Sequence, residues 1–116
     1  MARKREGEIQ VVEGSGNVFA DLALAEPEEE LTKAQLASHV RRVIKRRRLT
    51  QLAAAKIMGI DQPKVSALFN GRLANFSSER LMRLLTALGE DVEIVVRTKP
   101  RSRARAHIRV VGEAQA

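Results

Sequence analysis

The chain of 116 residues contains no cysteine. Disulfides, zinc–cysteine fingers, iron–sulfur clusters and a cysteine nucleophile are therefore excluded. Aromatic side chains are scarce as well, because Trp and Tyr are absent and only Phe19, Phe69 and Phe76 occur. RRM and OB folds stack single-stranded bases on several aromatic side chains, so this composition disfavours those folds.

Long apolar runs are also missing. No run exceeds a few residues, which is too short to cross a bilayer. The basic start at Met1–Arg5 is not followed by the apolar stretch of a signal peptide. We therefore expect a cytoplasmic protein that makes no membrane contact.

Charge is distributed unevenly along the chain. Lys and Arg number 21 against 14 Asp and Glu, which gives a net charge of +7. Residues 1–30 carry a net −5, residues 31–98 a net +8, and residues 99–116 a net +4. We interpret these regions as an acidic flexible arm, a basic folded domain and a basic flexible tail. The excess of cations predicts a polyanionic partner, and nucleic acid is the first candidate.

Four helices are predicted in the central region. A capping box at Thr32 and Gln35 would start the first, and Thr50, Asp61 and Ser77 can cap the other three. Their ends are expected at Arg46–Arg48, Gly59, Asn70–Gly71 and Gly89. Apolar residues recur at helical spacing at Leu36, Val40, Val43, Ile44, Leu81, Leu84, Leu85 and Leu88. These side chains are core candidates, and the leucines of the last helix are alternatively a dimer contact.

The β-branched residues of Val92–Val96 predict a short C-terminal strand. After Thr98 this pattern fails, since residues 99–105 have nothing to bury. The fold class is therefore mainly α, a bundle of four to five helices with a short terminal β-strand inside residues 31–98.

The most informative stretch runs from Gln51 to Arg72, where two short helices flank a glycine turn. If Gln51 is position one, Ala55 falls at position five, where two crossing helices leave room only for a methyl group. Gly59 falls at position nine, in the turn, where a positive φ is favourable only without a Cβ. Ile60, Val65 and Leu68 fall at inward-facing positions. This spacing predicts a helix-turn-helix.

The outer face of the second short helix is polar. It carries Gln62, Lys64, Ser66, Ala67 and Asn70, within a region, residues 31–76, that holds ten basic residues and one acid. Gln, Lys, Ser and Asn side chains bond phosphates and base edges of DNA. Two short helices around a glycine also occur in proteins that never touch DNA, so a helical protein-interaction module remains the alternative.

This stretch resembles the XRE, or Cro/CI-like, helix-turn-helix family, whose fold is that of lambda repressor. The matching residues are Leu49-Thr50-Gln51, Ala55, Met58-Gly59-Ile60, Gln62, Val65-Ser66 and Asn70-Gly71. The resemblance implies a sequence-specific regulator that binds double-stranded DNA.

Carried over residue by residue, the resemblance assigns the DNA contacts. It places Gln51 on the DNA backbone, and Gln62, Lys64 and Ser66 in the major groove. Asn70 and Arg72 would lie beside a phosphate at the far end of the same helix. We call the second short helix the recognition helix. The sequence departs from the family at Pro63, which reduces the number of DNA contacts that the first turn of this helix can make. Because one small helix reads little DNA, we expect a homodimer on a palindromic operator.

A narrower likeness is to the HigA-type antitoxins of toxin–antitoxin pairs. It rests on Asn17–Leu22 ahead of the domain and on Ala87–Gly89 with Val92–Val96 behind it. It implies a protein that represses its own operon and neutralises an RNase toxin. Phe19, Leu22 and Leu24 are then the candidate toxin-binding residues, although they could instead pack back onto the domain. A plain XRE-type repressor without a toxin partner is the alternative.

No catalytic, metal or cofactor site is predicted. No His–carboxylate–nucleophile set, glycine-rich phosphate loop or carboxylate pair stands out. His39 and His107 lack the partners of a metal site. The cations at Arg41-Arg42 and Lys45–Arg48 could bind phosphates or could form a solvated helix face. We therefore expect a DNA-binding protein and no enzyme.

Overall fold

The structure, a computed structural model, describes residues 25–112. The described residues form four α-helices, which are α1 (Ala25–Arg46), α2 (Gln51–Met58), α3 (Gln62–Phe69) and α4 (Ser78–Ala87). The chain divides into two units, Met1–Glu30 and Leu31–Ala116. Of the first unit, residues 25–30 are described and belong to the start of α1. The candidate toxin contacts Phe19, Leu22 and Leu24 lie outside the described residues.

Three of the four helix starts are confirmed at the atoms that cap them. Thr50 Oγ1 accepts a hydrogen bond from the Ala53 N–H at 3.0 Å. Asp61 Oδ1 accepts from the Lys64 N–H at 3.1 Å, and Ser77 Oγ accepts from Arg80 N–H at 3.0 Å. Each cap satisfies an N–H that has no partner within its helix, so these side chains set where α2, α3 and α4 begin.

The expected start of α1 at Thr32 is wrong. The helix begins at Ala25, so Thr32 and Gln35 lie inside it and form no capping box. Glu28–Glu30 fall in its first two turns, where negative charge is stabilised by the helix dipole. Instead of reaching back, Gln35 accepts a hydrogen bond through Oε1 from the Val110 N–H at 3.1 Å.

The end of α1 at Arg46 lies where the basic cluster predicted it. Arg48 has a φ of +56°, in the left-handed region that usually favours glycine. This conformation turns the chain so that the Leu49 N–H donates to the Ile44 carbonyl at 3.1 Å. A left-handed residue after the last turn is a common way to end a helix, and here an arginine takes that position.

One hydrophobic core joins the four helices within the described residues. Its fully buried larger side chains come from three helices and are Val40, Ile44, Val65, Leu68 and Leu81. All eight apolar residues predicted for α1 and α4 are buried, together with Ala54, Ala55 and Met58 of α2. Phe76 and Leu81 are both buried on either side of the Ser77 cap, as a hydrophobic staple requires. Within this core, α2 packs against both α3 and α4.

The predicted C-terminal β-strand is absent from the described residues. After Gly89 the described chain forms neither helix nor strand as far as Gly112. Ile94, Val95 and Val96 are 77%, 64% and 90% exposed. The prediction failed because β-branched residues become a strand only when a neighbouring strand accepts their backbone hydrogen bonds, and the described chain offers none.

Residues 99–112, expected as a flexible tail, contact the domain near their end. Val110 packs against the core, as does Val92 before the basic stretch. Gly112 lies so close to the His39 ring that a Cβ there would overlap it. Together with the bond from Val110 to Gln35, these contacts attach the end of the segment to α1.

Candidate nucleic-acid interface

The turn between α2 and α3 has the conformation expected from the position of its glycine. Gly59 has a φ of +72°, and its N–H donates to the Ala55 carbonyl at 2.8 Å. The Ile60 N–H donates to the same carbonyl at 3.1 Å. Ala55 is 3% exposed, which agrees with a close crossing that admits only a methyl group. The turn therefore sets the angle at which α3 leaves α2.

α3 buries one face and exposes the other. Val65 and Leu68 are fully buried, while Gln62, Pro63 and Asn70 are exposed and Ser66 is half-buried. The Asn70 amide donates through Nδ2 to Ser66 Oγ at 3.4 Å, one helical turn away. The buried residues fix the rotation of α3 about its own axis and so decide which polar groups face outward.

The first turn of α3 has few free groups to offer a ligand. Pro63 lies in it and carries no N–H, and the Lys64 N–H is already donated to Asp61. Lys64 Nζ lies 3.9 Å from Asp61 Oδ2, which is a weak ion pair because the distance is long and both side chains are partly open to solvent. The side chains of Gln62 and Lys64 are therefore the groups at this end of α3 that remain open to a ligand.

An open groove runs beside α3 and adds a residue that the sequence analysis missed. It is lined by Asp61, Pro63, Lys64, Ala67, Arg72, Ala74, Asn75 and Phe76. Arg72, the predicted phosphate contact, and Lys64 both line this groove. The added residue is Asn75, which lies in the loop between α3 and α4. Asn75 stands in a turn closed by a 3.0 Å bond from the Phe76 N–H to the Leu73 carbonyl. Phe76, at the end of this loop, is buried and holds the loop against the core. An aromatic residue at this position is the feature of the sequence that could have indicated a fixed loop.

Gln51 is a predicted site residue that does not line this groove. It begins α2 and is half-buried, directly after the Thr50 cap. Of the predicted site residues, Pro63, Lys64 and Arg72 line the groove. Gln62, Ser66 and Asn70 belong to the outward face of α3 and its end. Gln51 occupies the start of the preceding helix.

Comparison with known proteins assigns the domain. A family model described as a helix-turn-helix domain matches residues 18–97. The chain belongs to this helix-turn-helix family. A solved structure described as an XRE family transcriptional regulator is 59% identical, with a TM-score of 0.74, and the match covers 76% of this chain and 99% of that one. A search of curated proteins gave no match. The resemblance to the XRE family is confirmed, and the likeness to HigA-type antitoxins remains a prediction.

Two arginines, Arg41 in α1 and Arg47 directly after it, bond the ends of other helices instead of remaining as free cations. Arg41 NH1 donates to the Leu68 carbonyl at the end of α3 at 2.9 Å. Arg47 NH1 donates to the Leu88 carbonyl at the end of α4 at 2.8 Å. Cations at helix C-termini satisfy free carbonyls and oppose the helix dipole. Sequence reasoning placed both in a charge run and could not identify their partners, which lie 27 and 41 residues away.

The other cations of this run differ in their surroundings. Arg46 NH2 lies 3.1 Å from Glu90 Oε2 in an exposed ion pair. Arg42, Lys45 and Arg48 are exposed. Arg41 and Arg47 are bonded to carbonyls at the ends of α3 and α4. Phosphate binding by the cations of residues 41–48 therefore remains a hypothesis for Arg42, Lys45 and Arg48.

His39 is a half-buried residue of α1. Burial lowers the pKa of His39, Arg42 lowers it further, and Glu90 acts in the opposite direction. The described residues contain no group of three or more potential metal ligands. Nor does any described helix combine the length and apolarity needed to cross a bilayer.

Proposed function

We propose that the chain is a sequence-specific transcriptional regulator that binds double-stranded DNA through α3. The observation that carries this proposal is the division of α3 into a buried apolar face and an outward face with Gln62, Ser66 and Asn70. A helix of eight residues with one such face has the dimensions of a recognition helix in a major groove.

Binding would then have two components. Lys64 and Arg72 on the groove beside α3, with the exposed cations of α1, attract phosphates and release counterions whatever the DNA sequence. Gln62 and its outward neighbours on α3 contact base edges, because an amide side chain can pair with adenine through two hydrogen bonds. Such a regulator acts in the compartment that holds the DNA, which for the proposed bacterial-type antitoxin is the cytoplasm.

A binding assay on duplexes selected from a random pool tests this proposal. Gln62→Ala should change the ranking of sequence variants at one position and cost about 1–3 kcal/mol on the preferred sequence. Lys64→Ala should weaken all sequences alike. Arg83→Ala is the matched control, because Arg83 is exposed on α4 and already paired with Glu79 at 2.9 Å. An unchanged ranking with Gln62→Ala would contradict the role of this residue.

We further propose that the regulator is a homodimer. Ile94, Val95 and Val96 are three consecutive exposed apolar residues, which a second copy can cover. A symmetric dimer would place two copies of α3 about 34–36 Å apart, one turn of B-DNA, so that each reads one half of a palindrome. Light scattering should give a dimer for the native chain and a monomer for Val95→Asp. A dimer of unchanged affinity in Val95→Asp would show that this surface is not the interface.

We propose, more specifically, that this DNA-binding regulator is an antitoxin that represses its own operon and neutralises an RNase toxin. It is supported by the HigA-like residues Asn17–Leu22, Ala87–Gly89 and Val92–Val96. The net −5 of residues 1–30 suits a toxin with a basic RNA-binding surface.

Co-expression with the product of the adjacent reading frame tests the antitoxin proposal. Replacing Phe19, Leu22 and Leu24 by Ser should abolish pull-down and protection from the toxin while leaving operator binding intact. Gln62→Ala should weaken operator binding while leaving pull-down and protection from the toxin intact. Operator binding without any captured toxin would favour a plain repressor, whereas a chain that binds no duplex DNA would favour the interaction module.

A further inference from the structure

Basic residues alternate along the C-terminal segment in a pattern that the recognition helix does not use. From residue 97 to residue 109 every odd position is basic, namely Arg97, Lys99, Arg101, Arg103, Arg105, His107 and Arg109. Between Ile94 and Gly112 there are six Lys or Arg and no Asp or Glu. We call residues 97–109 the basic loop. Its uniform sign distinguishes it from α1 and α4, where acids accompany the cations.

The basic loop is attached to the domain on both sides. Val92 before it and Val110 after it pack against the core. The Val110 N–H donates to Gln35 Oε1 at 3.1 Å, and Gly112 lies against the His39 ring. These contacts limit how far the cations can move from α1, so the loop is a surface of the domain and not a free end.

A turn folds the middle of the basic loop and leaves most cations outward. The Arg103 N–H donates to the Pro100 carbonyl at 3.2 Å, and Lys99 Nζ donates to the Arg103 carbonyl at 2.9 Å. Arg103 NH1 donates to the Arg105 carbonyl at 3.1 Å. Arg97, Arg101 and Arg105 are exposed, and none of their side chains forms a hydrogen bond or ion pair with another described residue. Three unneutralised guanidinium groups therefore face solvent from one short loop.

Folding cations of one sign into a short loop has an electrostatic cost that a polyanion removes. Duplex DNA carries one negative charge per about 1.7 Å of its axis, so several arginines of one loop can each meet a phosphate. The guanidinium group is also well matched to phosphate, because its planar N–H donors can form two parallel hydrogen bonds.

The basic loop and α3 are both bonded to the same helix, α1. The loop end bonds to Gln35, and the end of α3 bonds to Arg41. These two residues are separated by six positions, which is about 9 Å along a helix axis. The anchor of the loop at Gln35 is thus less than two helical turns along α1 from the residue that bonds the end of α3.

We propose that the basic loop is a second DNA-contacting surface, which binds phosphates of the duplex beside the segment read by α3. This inference rests on the proposed DNA binding by α3. It assigns the loop a contribution to affinity that is independent of sequence, through Arg97, Arg101 and Arg105.

The test measures the salt dependence of binding to a random-sequence duplex of about 30 base pairs, three helical turns. The full chain is compared with a variant carrying Arg97→Gln, Arg101→Gln and Arg105→Gln. The slope of log K against log salt is negative, and each lost phosphate contact reduces its magnitude by about 0.9. The glutamine variant should therefore have a slope that is about 2–3 less steep. The matched control carries Lys at the same three positions and should keep the slope, because it keeps the charge.

Two readouts separate this proposal from the proposed function. If the native chain binds no duplex, the proposed function fails and this inference fails with it. If the native chain and the glutamine variant bind with equal slopes, the basic loop makes no phosphate contact, while binding by α3 stands. Unchanged ranking of sequences by the glutamine variant supports the proposal, and a changed ranking would show that the loop reads bases and would overturn a backbone role. The thermal midpoint should stay the same, since the three side chains are exposed and form no hydrogen bond or ion pair with another described residue.

Discussion

The helix-turn-helix at residues 50–72 and the C-terminal segment at residues 90–112 are both rich in apolar side chains, but they use them differently. In the first region, Val65 and Leu68 are fully buried. In the second, Ile94, Val95, Val96, Ile108 and Val111 are all at least 63% exposed. A helix satisfies its own backbone and needs only one apolar face, whereas a strand needs a second strand. Hence local sequence suffices for the first region and not for the second.

Truncation of buried and exposed side chains should give the largest contrast between the two regions. Leu68→Ala removes a fully buried side chain of α3 and should lower the free energy of unfolding by about 2–5 kcal/mol. Val96→Ala removes a side chain that is 90% exposed and should change it by less than about 0.5 kcal/mol in the monomer. Urea denaturation at low protein concentration measures both. A large loss with Val96→Ala would mean that the C-terminal segment is buried in solution.

The turn glycine should show the next largest effect. Gly59→Val places a β-branched residue at a φ of +72° and should cost about 1 kcal/mol or more, although a Cβ there has free space around it. Gly59→Asn is the control, because asparagine tolerates the left-handed region far better. Equal thermal midpoints for Gly59→Val and the native chain would contradict a left-handed Gly59.

Arg41 and Arg42 are neighbours in α1, but Arg41 bonds the end of α3 whereas Arg42 is exposed. Substitution of each tests whether the bonded cation contributes more to stability. Arg41→Met loses the bond to the Leu68 carbonyl and should cost about 1 kcal/mol of stability, since Gly71 still donates to that oxygen at 3.3 Å. Arg42→Met removes an exposed cation and should leave the thermal midpoint nearly unchanged. Equal losses in the two variants would show that the capping bond does not hold α3.

The smallest expected effect is a pH dependence that originates at His39, where the C-terminal segment meets α1. Because burial and Arg42 lower its pKa in the folded state, the unfolded chain takes up a proton first as the pH falls. Stability should therefore be fully present above the ordinary histidine pKa of about 6.5 and decrease below it, until the folded state is protonated too.

Comparison of His39→Gln with the native chain isolates this contribution. The variant should lose less stability between about pH 7 and pH 5, the range that brackets an ordinary histidine pKa. Thermal melts at both pH values provide the measurement. Glu90 opposes the shift, so Glu90→Gln should strengthen the pH dependence of the native chain. Identical pH dependence in His39→Gln and the native chain would place its origin elsewhere.

Much of the domain could be predicted from sequence because its helix boundaries are chemical and local. Thr50, Asp61 and Ser77 cap the helices as predicted, since each needs only the N–H three residues ahead. The start of α1 could not be located in this way. The sequence allows a start at Thr32 with a capping box, but it also allows a longer helix in which acidic residues near the N-terminus interact favourably with the helix dipole. The structure has the longer helix, which begins at Ala25.

The sequence by itself determined the family, the bounds of α2 and α3, the left-handed turn at Gly59 and the polar outer face of α3. These features depend on contacts within about four residues and on the period of the apolar pattern. Only the tertiary structure decided that Arg41 and Arg47 cap distant helices, that Asn75 joins the groove, and that Val92–Val96 forms no strand within the described chain. Each of these depends on which groups approach across long separations in the chain. The apolar pattern specifies which face is buried, but only packing specifies which neighbour it meets.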